Sequence, residues 1–182
     1  MTDTNLPPQL IEAARRVIEE NRTAGLRVAV AESCTGGLVS AALTEIAGSS
    51  DVFEAGFVTY ANEAKMGMLN VPSDVLETFG AVSVATAWAM AQGALQKSSA
   101  DIGVAITGIA GPGGGSEKKP VGTVVFARAS RSGDPDDVVA DWREFGDIGR
   151  AGVRFQAALC ALELLLPGPF PDKDETLASP SA

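Results

Sequence analysis

Apolar positions along the chain switch between two spacings, and the switches mark out its elements. Over residues 7–24, Leu10, Ala14, Val17 and Ile18 form one helical stripe, which Gly25 ends. Residues 26–31 (LRVAVA) predict a short buried strand, and residues 36–46 a helix with Leu38, Ala42 and Ile46 inward. Residues 53–60 (FEAGFVTY) predict a second strand. Asn62 is placed to cap a short helix through 63–69, and Pro72 to open another through Phe79. Residues 83–97 predict a longer helix, with Ser83 as N-cap and Val84, Trp88, Ala91 and Leu95 on one face. A central strand follows at 101–107, then a glycine-rich loop at 108–120. Strands at 121–129 and 137–144, joined by a polar turn, predict an antiparallel hairpin. The last helix, 150–166, turns Val153, Ala157, Cys160, Ala161 and Leu164 inward.

Helices alternating with strands, then a hairpin, predict an α/β fold: a single three-layer α/β/α domain over 1–166 with a mixed, mostly parallel sheet. Residues 167–182 are Pro-rich and acidic and read as a disordered tail.

Composition narrows the function. Hydrophobic residues make up 46% and charged residues 20% of the 182 residues, a globular balance. No apolar run approaches the ~20 residues that span a bilayer, so no membrane partner is expected. The start, MTDTNLPPQL, has no secretory pattern, and two cysteines are too few for a disulfide framework. A cytoplasmic setting is expected. The net charge of -9, with 14 scattered basic residues, argues against a nucleic-acid partner. A small anionic ligand remains compatible, because a few backbone N–H groups hold a phosphate.

The chain has no histidine. Every Ser-His-Asp, Cys-His and His-metal mechanism is removed together. A hydrolytic base must then be Lys, Asp, Glu, Tyr or a bound water.

Three segments at strand ends carry candidate chemistry. In AESCTGG, residues 31–37, a turn after a strand opens a helix. Ser33 there would have helix N–H donors beside a developing oxyanion. Ser33 or Thr35 would serve equally as a simple N-cap, and Cys34 is an alternative nucleophile. In TYANEAK, residues 59–65, Lys65 stands at a similar strand-to-helix junction and shares a helical face with Asn62. The bland alternative is a solvated lysine on a capped surface helix. The third segment, TGIAGPGGGSEKKPVGT (107–123), suits an anion nest or a plain surface loop, and is neither a Walker A loop nor a dinucleotide fingerprint. A serine without histidine can be activated by a neutral lysine. That lysine must lose about three units from ~10.4, roughly 4 kcal/mol, which burial can supply.

AESCTGG, GFVTYANEAK, AVS and ITGIAGPGGGSEKKPVGTV, in this order, closely resemble the CinA C-terminal domain family over residues 8–166, in particular its stand-alone nicotinamide-nucleotide amidohydrolases. The resemblance implies a Ser/Lys hydrolase that turns nicotinamide mononucleotide into nicotinate mononucleotide and ammonia, a step of pyridine nucleotide salvage. It implies Ser33, Lys65 and Tyr60 as catalytic residues. Glu32, Cys34, Thr35, Gly36, Asn62, Thr107, Gly108, Ile109, Ala110, Gly111 and Arg150 fall on segments expected to bind the substrate. The family's G-D-R, V-R pattern is displaced here to Gly146-Asp147-Ile148-Gly149-Arg150 and Val153-Arg154. No metal or cofactor is implied. Expected partners are the small nucleotide substrate and further copies of the chain, in a dimer or larger homo-oligomer. Rival readings are a Ser/Lys amidase acting on another small amide and a nucleotide-binding module without chemistry.

Overall fold

The computed structural model describes residues 4–134 and 136–169, so most of the expected tail, 170–182, lies outside the described residues. Helix α1 (Pro8–Ala24) ends on Gly25, whose left-handed backbone lets its N–H close the last turn. Strand β1 (Val28–Glu32), helix α2 (Leu38–Thr44), a 3-10 turn (Ser49–Asp51) and strand β2 (Phe53–Val58) follow. Helices α3 (Asn62–Leu69), α4 (Ser73–Phe79) and α5 (Val84–Gln96) lead to strands β3 (Ile102–Gly108), β4 (Thr123–Ser130) and β5 (Ala140–Glu144). Helix α6 (Gly149–Leu164) closes the fold.

The strands form one sheet in the order β2-β1-β3-β4-β5. β1 is parallel to β2 and to β3, β4 is antiparallel to β3, and β5 to β4. Four of the five strands therefore point one way, as the alternation of elements predicts.

Strand alternation divides the core into two layers. Val28, Val30, Ile102, Val104, Ile106, Val124 and Phe126 pack with α1, α2 and α6. Ala29, Ala31, Ala105, Ala127 and Ala129 face the layer of α3, α4 and α5. The second face is small because α5 lies close on the sheet. A Cβ on Gly103 would sit 2.8 Å from the Ala91 carbonyl oxygen.

The topology collects the candidate chemistry at one edge. Parallel β1, β2 and β3 end there at Glu32, Val58 and Gly108. β5 also ends there, since Glu144 pairs with Thr123 at the start of β4. α6 therefore begins at the same edge, which brings Arg150 to it.

The structure moves several expected boundaries. β1 begins at Val28 because Arg27 spends its N–H on the Asp101 carboxylate and its carbonyl on the Asp101 and Ile102 amides. α2 starts late because Gly36 and Gly37 both hold left-handed φ, +59° and +92°. Ala61 takes the cap position of α3 in extended conformation, so Asn62 is the first helical residue and caps nothing. Ser83 does cap α5, accepting from the Thr86 amide. Val84 is exposed instead of inward, at the solvent side of the α5 start. No helix among the described residues is long and apolar enough to cross a membrane.

Candidate active site

Ser33 follows the last residue of β1, and its N–H extends the ladder by donating to the Ile106 carbonyl at 2.9 Å. On the neighbouring strand, the Thr59 N–H donates to the Glu32 carbonyl at 2.8 Å, locking the two strand ends together. The chain then turns into α3, whose first turn ends at Lys65 and carries it back over the strand ends. Lys65 Nζ lies 3.1 Å from Ser33 Oγ, 2.8 Å from the Thr59 carbonyl oxygen and 3.4 Å from that of Tyr60.

Lys65 is 1% exposed. Among the described residues no carboxylate pairs with it. Burial pushes its pKa down, because a charged ammonium there loses water without gaining a counter-ion. A neutral amine has two N–H donors and one lone pair. The two carbonyls accept the donors, and the lone pair then faces the Ser33 hydroxyl. In that form the amine nitrogen can accept the Ser33 hydroxyl proton.

The neighbouring thiol is in the opposite condition. Burial pushes the Cys34 thiol up to about 12, so it stays protonated at neutral pH although it lines the cleft.

The cleft measures about 270 Å³. Besides Ser33, Cys34 and Lys65, it is lined by Tyr60, Arg150, Thr107 and the loop residues Gly108, Ile109, Ala110 and Gly111. Arg150 donates to the Gly111 carbonyl at 3.0 Å and to the Tyr60 hydroxyl at 2.8 Å, bridging two sides of the mouth. Gly111 has φ +80°, and a Cβ there would lie 2.6 Å from Val121 Cγ1, so only glycine allows this turn of the loop. Beside the Lys65 amine the lining contains one guanidinium, that of Arg150, and no carboxylate.

Other expected site residues lie elsewhere. Glu32 is fully buried and turns away from the cleft, accepting from the Gly37, Val39 and Ser40 amides and the Ser40 hydroxyl. This also corrects the expectation of free helix donors beside Ser33: the start of α2 is occupied by Glu32. Thr35 is fully buried, and its carbonyl accepts from Arg154 at 2.8 Å. Gly36 is exposed in the turn and Asn62 is exposed on α3, both outside the cleft lining. The Thr107 hydroxyl is spent on the Ala81 carbonyl at 2.7 Å.

Ala81 and Val82 also line the cleft, and no expectation from the sequence named them as binding residues. They belong to the AVS segment, whose position beside the cleft depends on contacts far along the chain. Arg154 was likewise unassigned. Among the described residues no group of three or more His, Cys, Asp or Glu side chains is placed to hold a metal ion.

The chain matches the CinA C-terminal domain over residues 11–167. The nicotinamide-nucleotide amidohydrolase PncC of Shigella flexneri is 47% identical over 165 residues, covering 91% of this chain and 95% of that protein. A CinA-like protein of Synechococcus sp. (strain RCC307) is 51% identical over 150 residues, 82% of this chain but 35% of that longer protein. The chain spans 37%, 35% and 26% of three such longer relatives. The crystal structure of the competence/damage inducible protein CihA from Agrobacterium tumefaciens matches with a TM-score of 0.84 at 52% identity, covering 89% of this chain and 96% of that one. With its sheet order, its strand-end cleft and these matches along nearly its whole described length, the chain belongs to the CinA C-terminal domain family.

Proposed function

We propose that the chain hydrolyses the carboxamide of nicotinamide mononucleotide, giving nicotinate mononucleotide and ammonia, with Ser33 as nucleophile and Lys65 as base. The observation that carries this reading is the buried Lys65 amine, 3.1 Å from the Ser33 hydroxyl and without a carboxylate partner among the described residues. The PncC relatives, matched over nearly their whole length, support the choice of amide.

Ser33 Oγ attacks the carboxamide carbon while Lys65 Nζ takes its proton. The tetrahedral species collapses as Lys65 returns that proton to the departing nitrogen, and ammonia leaves. Water then enters, gives a proton to Lys65 and attacks the acyl carbon. Ser33 Oγ recovers the proton, and the carboxylate product is released. One amine serves both half-reactions, so no cofactor is called for.

Tyr60 supports the base through its backbone carbonyl, while its phenol meets Arg150. Arg150 is the cation available to an anionic phosphate at the mouth, and the carboxylate-free lining suits that charge. Residues 107–111 form the wall against which the substrate rests.

This reading places the reaction in the cytoplasm, consistent with the two unpaired cysteines. It also includes self-association as a dimer or larger, supported by exposed apolar Met68, Phe79 and Val84 on the α3–α5 layer. Sedimentation showing only the mass of one chain would remove that part.

The deciding measurement is ammonia release from nicotinamide mononucleotide by the wild-type chain and by Ser33→Ala. Release by the first alone supports the proposal. Release only from other small amides would replace the substrate. Binding without release would leave a nucleotide-binding module.

A further inference from the structure

The connector between α4 and α5 forms one side of the cleft through Ala81 and Val82, yet it belongs to no regular element. The Ser83 carbonyl accepts from the Ala87 amide in the first turn of α5, whereas the four carbonyls from Phe79, the last residue of α4, to Val82 are taken by side chains. Gly80 accepts from the Ser83 and Thr86 hydroxyls at 2.9 and 2.7 Å. Ala81 accepts from the Thr107 hydroxyl. Phe79 and Val82 accept from a single group, Lys119 Nζ, at 3.2 and 2.7 Å.

Lys119 comes from the far end of the glycine-rich loop whose near end lines the same cleft through residues 108–111, Gly113 and Gly114. It is itself anchored. Its amide and carbonyl pair with those of Ser116 in a closed turn, at 3.2 and 2.9 Å. A cation on an anchored turn thus spans to the opposite wall. Its bonds to the Phe79 and Val82 carbonyls are both charge-assisted, from a primary ammonium, the one to Val82 short, and the side chain that makes them is half-buried.

We propose that Lys119 is a positioning residue for the reaction: it staples the 79–82 connector to the glycine-rich loop and so sets the width of the cleft that holds the substrate. It touches neither Ser33 nor Lys65. This rests on reading the cleft as an amidohydrolase site. The effect belongs to substrate binding more than to the bond-making step, because the base and nucleophile are held separately by the strand ends and α3.

The test is Lys119→Met, a change on a half-buried loop residue that leaves both core layers intact. With nicotinamide mononucleotide, KM should rise about tenfold, equivalent to about 1.4 kcal/mol, while kcat stays within about threefold. Backbone amides of residues 80–86 should exchange hydrogen faster, with β1 and β3 unchanged. Lys119→Arg, which keeps a cation able to meet two carbonyls, should recover most of the loss in KM. Unchanged KM and exchange in Lys119→Met would overturn the proposal, as would a fall in kcat with KM constant. Faster exchange spread through β1 and β3 would also overturn it, by showing a general loss of stability. If the wild-type chain releases no ammonia from any amide, the hydrolase reading fails, and the substrate-free exchange comparison still decides the staple.

Discussion

Glu32 and Lys65 are both buried ionisable side chains at neighbouring strand ends, and their surroundings are opposite. Glu32 receives four donors, three amides at the start of α2 and the Ser40 hydroxyl, which fill the acceptor sites of a carboxylate. Lys65 receives only neutral acceptors, the Ser33 hydroxyl and two carbonyls. The first arrangement builds: it ties the turn that presents Ser33 to the helix that follows. The second leaves a cation underpaid and favours the neutral base. Burial alone therefore does not mark a functional charge; what its partners can and cannot compensate does.

The largest expected break in this comparison is at Lys65. Lys65→Arg should lower kcat by at least about 10³-fold while keeping the fold, because guanidinium does not deprotonate in proteins. Ammonia release under saturating substrate measures it. Near-normal turnover would show that Lys65 supplies only charge.

Next is Glu32. Glu32→Gln replaces one acceptor oxygen with an amide donor and strands buried N–H groups of α2. It should destabilise the chain by about 3 kcal/mol, read from chemical denaturation. Unchanged stability would show that the α2 start is held by other means.

The pH dependence follows from the direction of the Lys65 shift. The folded chain disfavours the protonated amine, so the unfolded chain binds more protons and stability rises with pH up to the ordinary lysine range. kcat/KM should rise with pH through a single titration whose midpoint lies below that of free lysine. Lys65→Met should be inactive and, at neutral pH, more stable than the wild type. A profile rising only at the free-lysine midpoint would contradict the buried neutral base.

The smallest effects belong to the two residues nearest the dyad in sequence. Cys34→Ala should keep kcat within about threefold, since its thiol is held protonated. Tyr60→Phe should lower kcat/KM by less than about tenfold, since Lys65 is held by the Tyr60 carbonyl and the phenol pairs, among the described residues, with Arg150. A loss as large as that of Lys65→Arg would make the phenol part of the proton path.

The elements were legible in the sequence because each depends on local periodicity: the α1 stripe from Leu10 to Ile18, the apolar run of β3, the Ser83 cap. The missing histidine and the strand-end positions of Ser33 and Lys65 were equally local facts. Only the tertiary structure decided which way each side chain at those ends points. Glu32 turns inward because the start of α2 supplies donors there, while Lys65, 32 residues from Ser33, reaches it because β1 and β2 lie side by side with Glu32 opposite Val58. The 79–82 connector became a cleft wall through donors at Thr107 and Lys119, 26 to 40 residues away. Such hydrogen bonds satisfy groups across the fold, and no spacing along the chain encodes them.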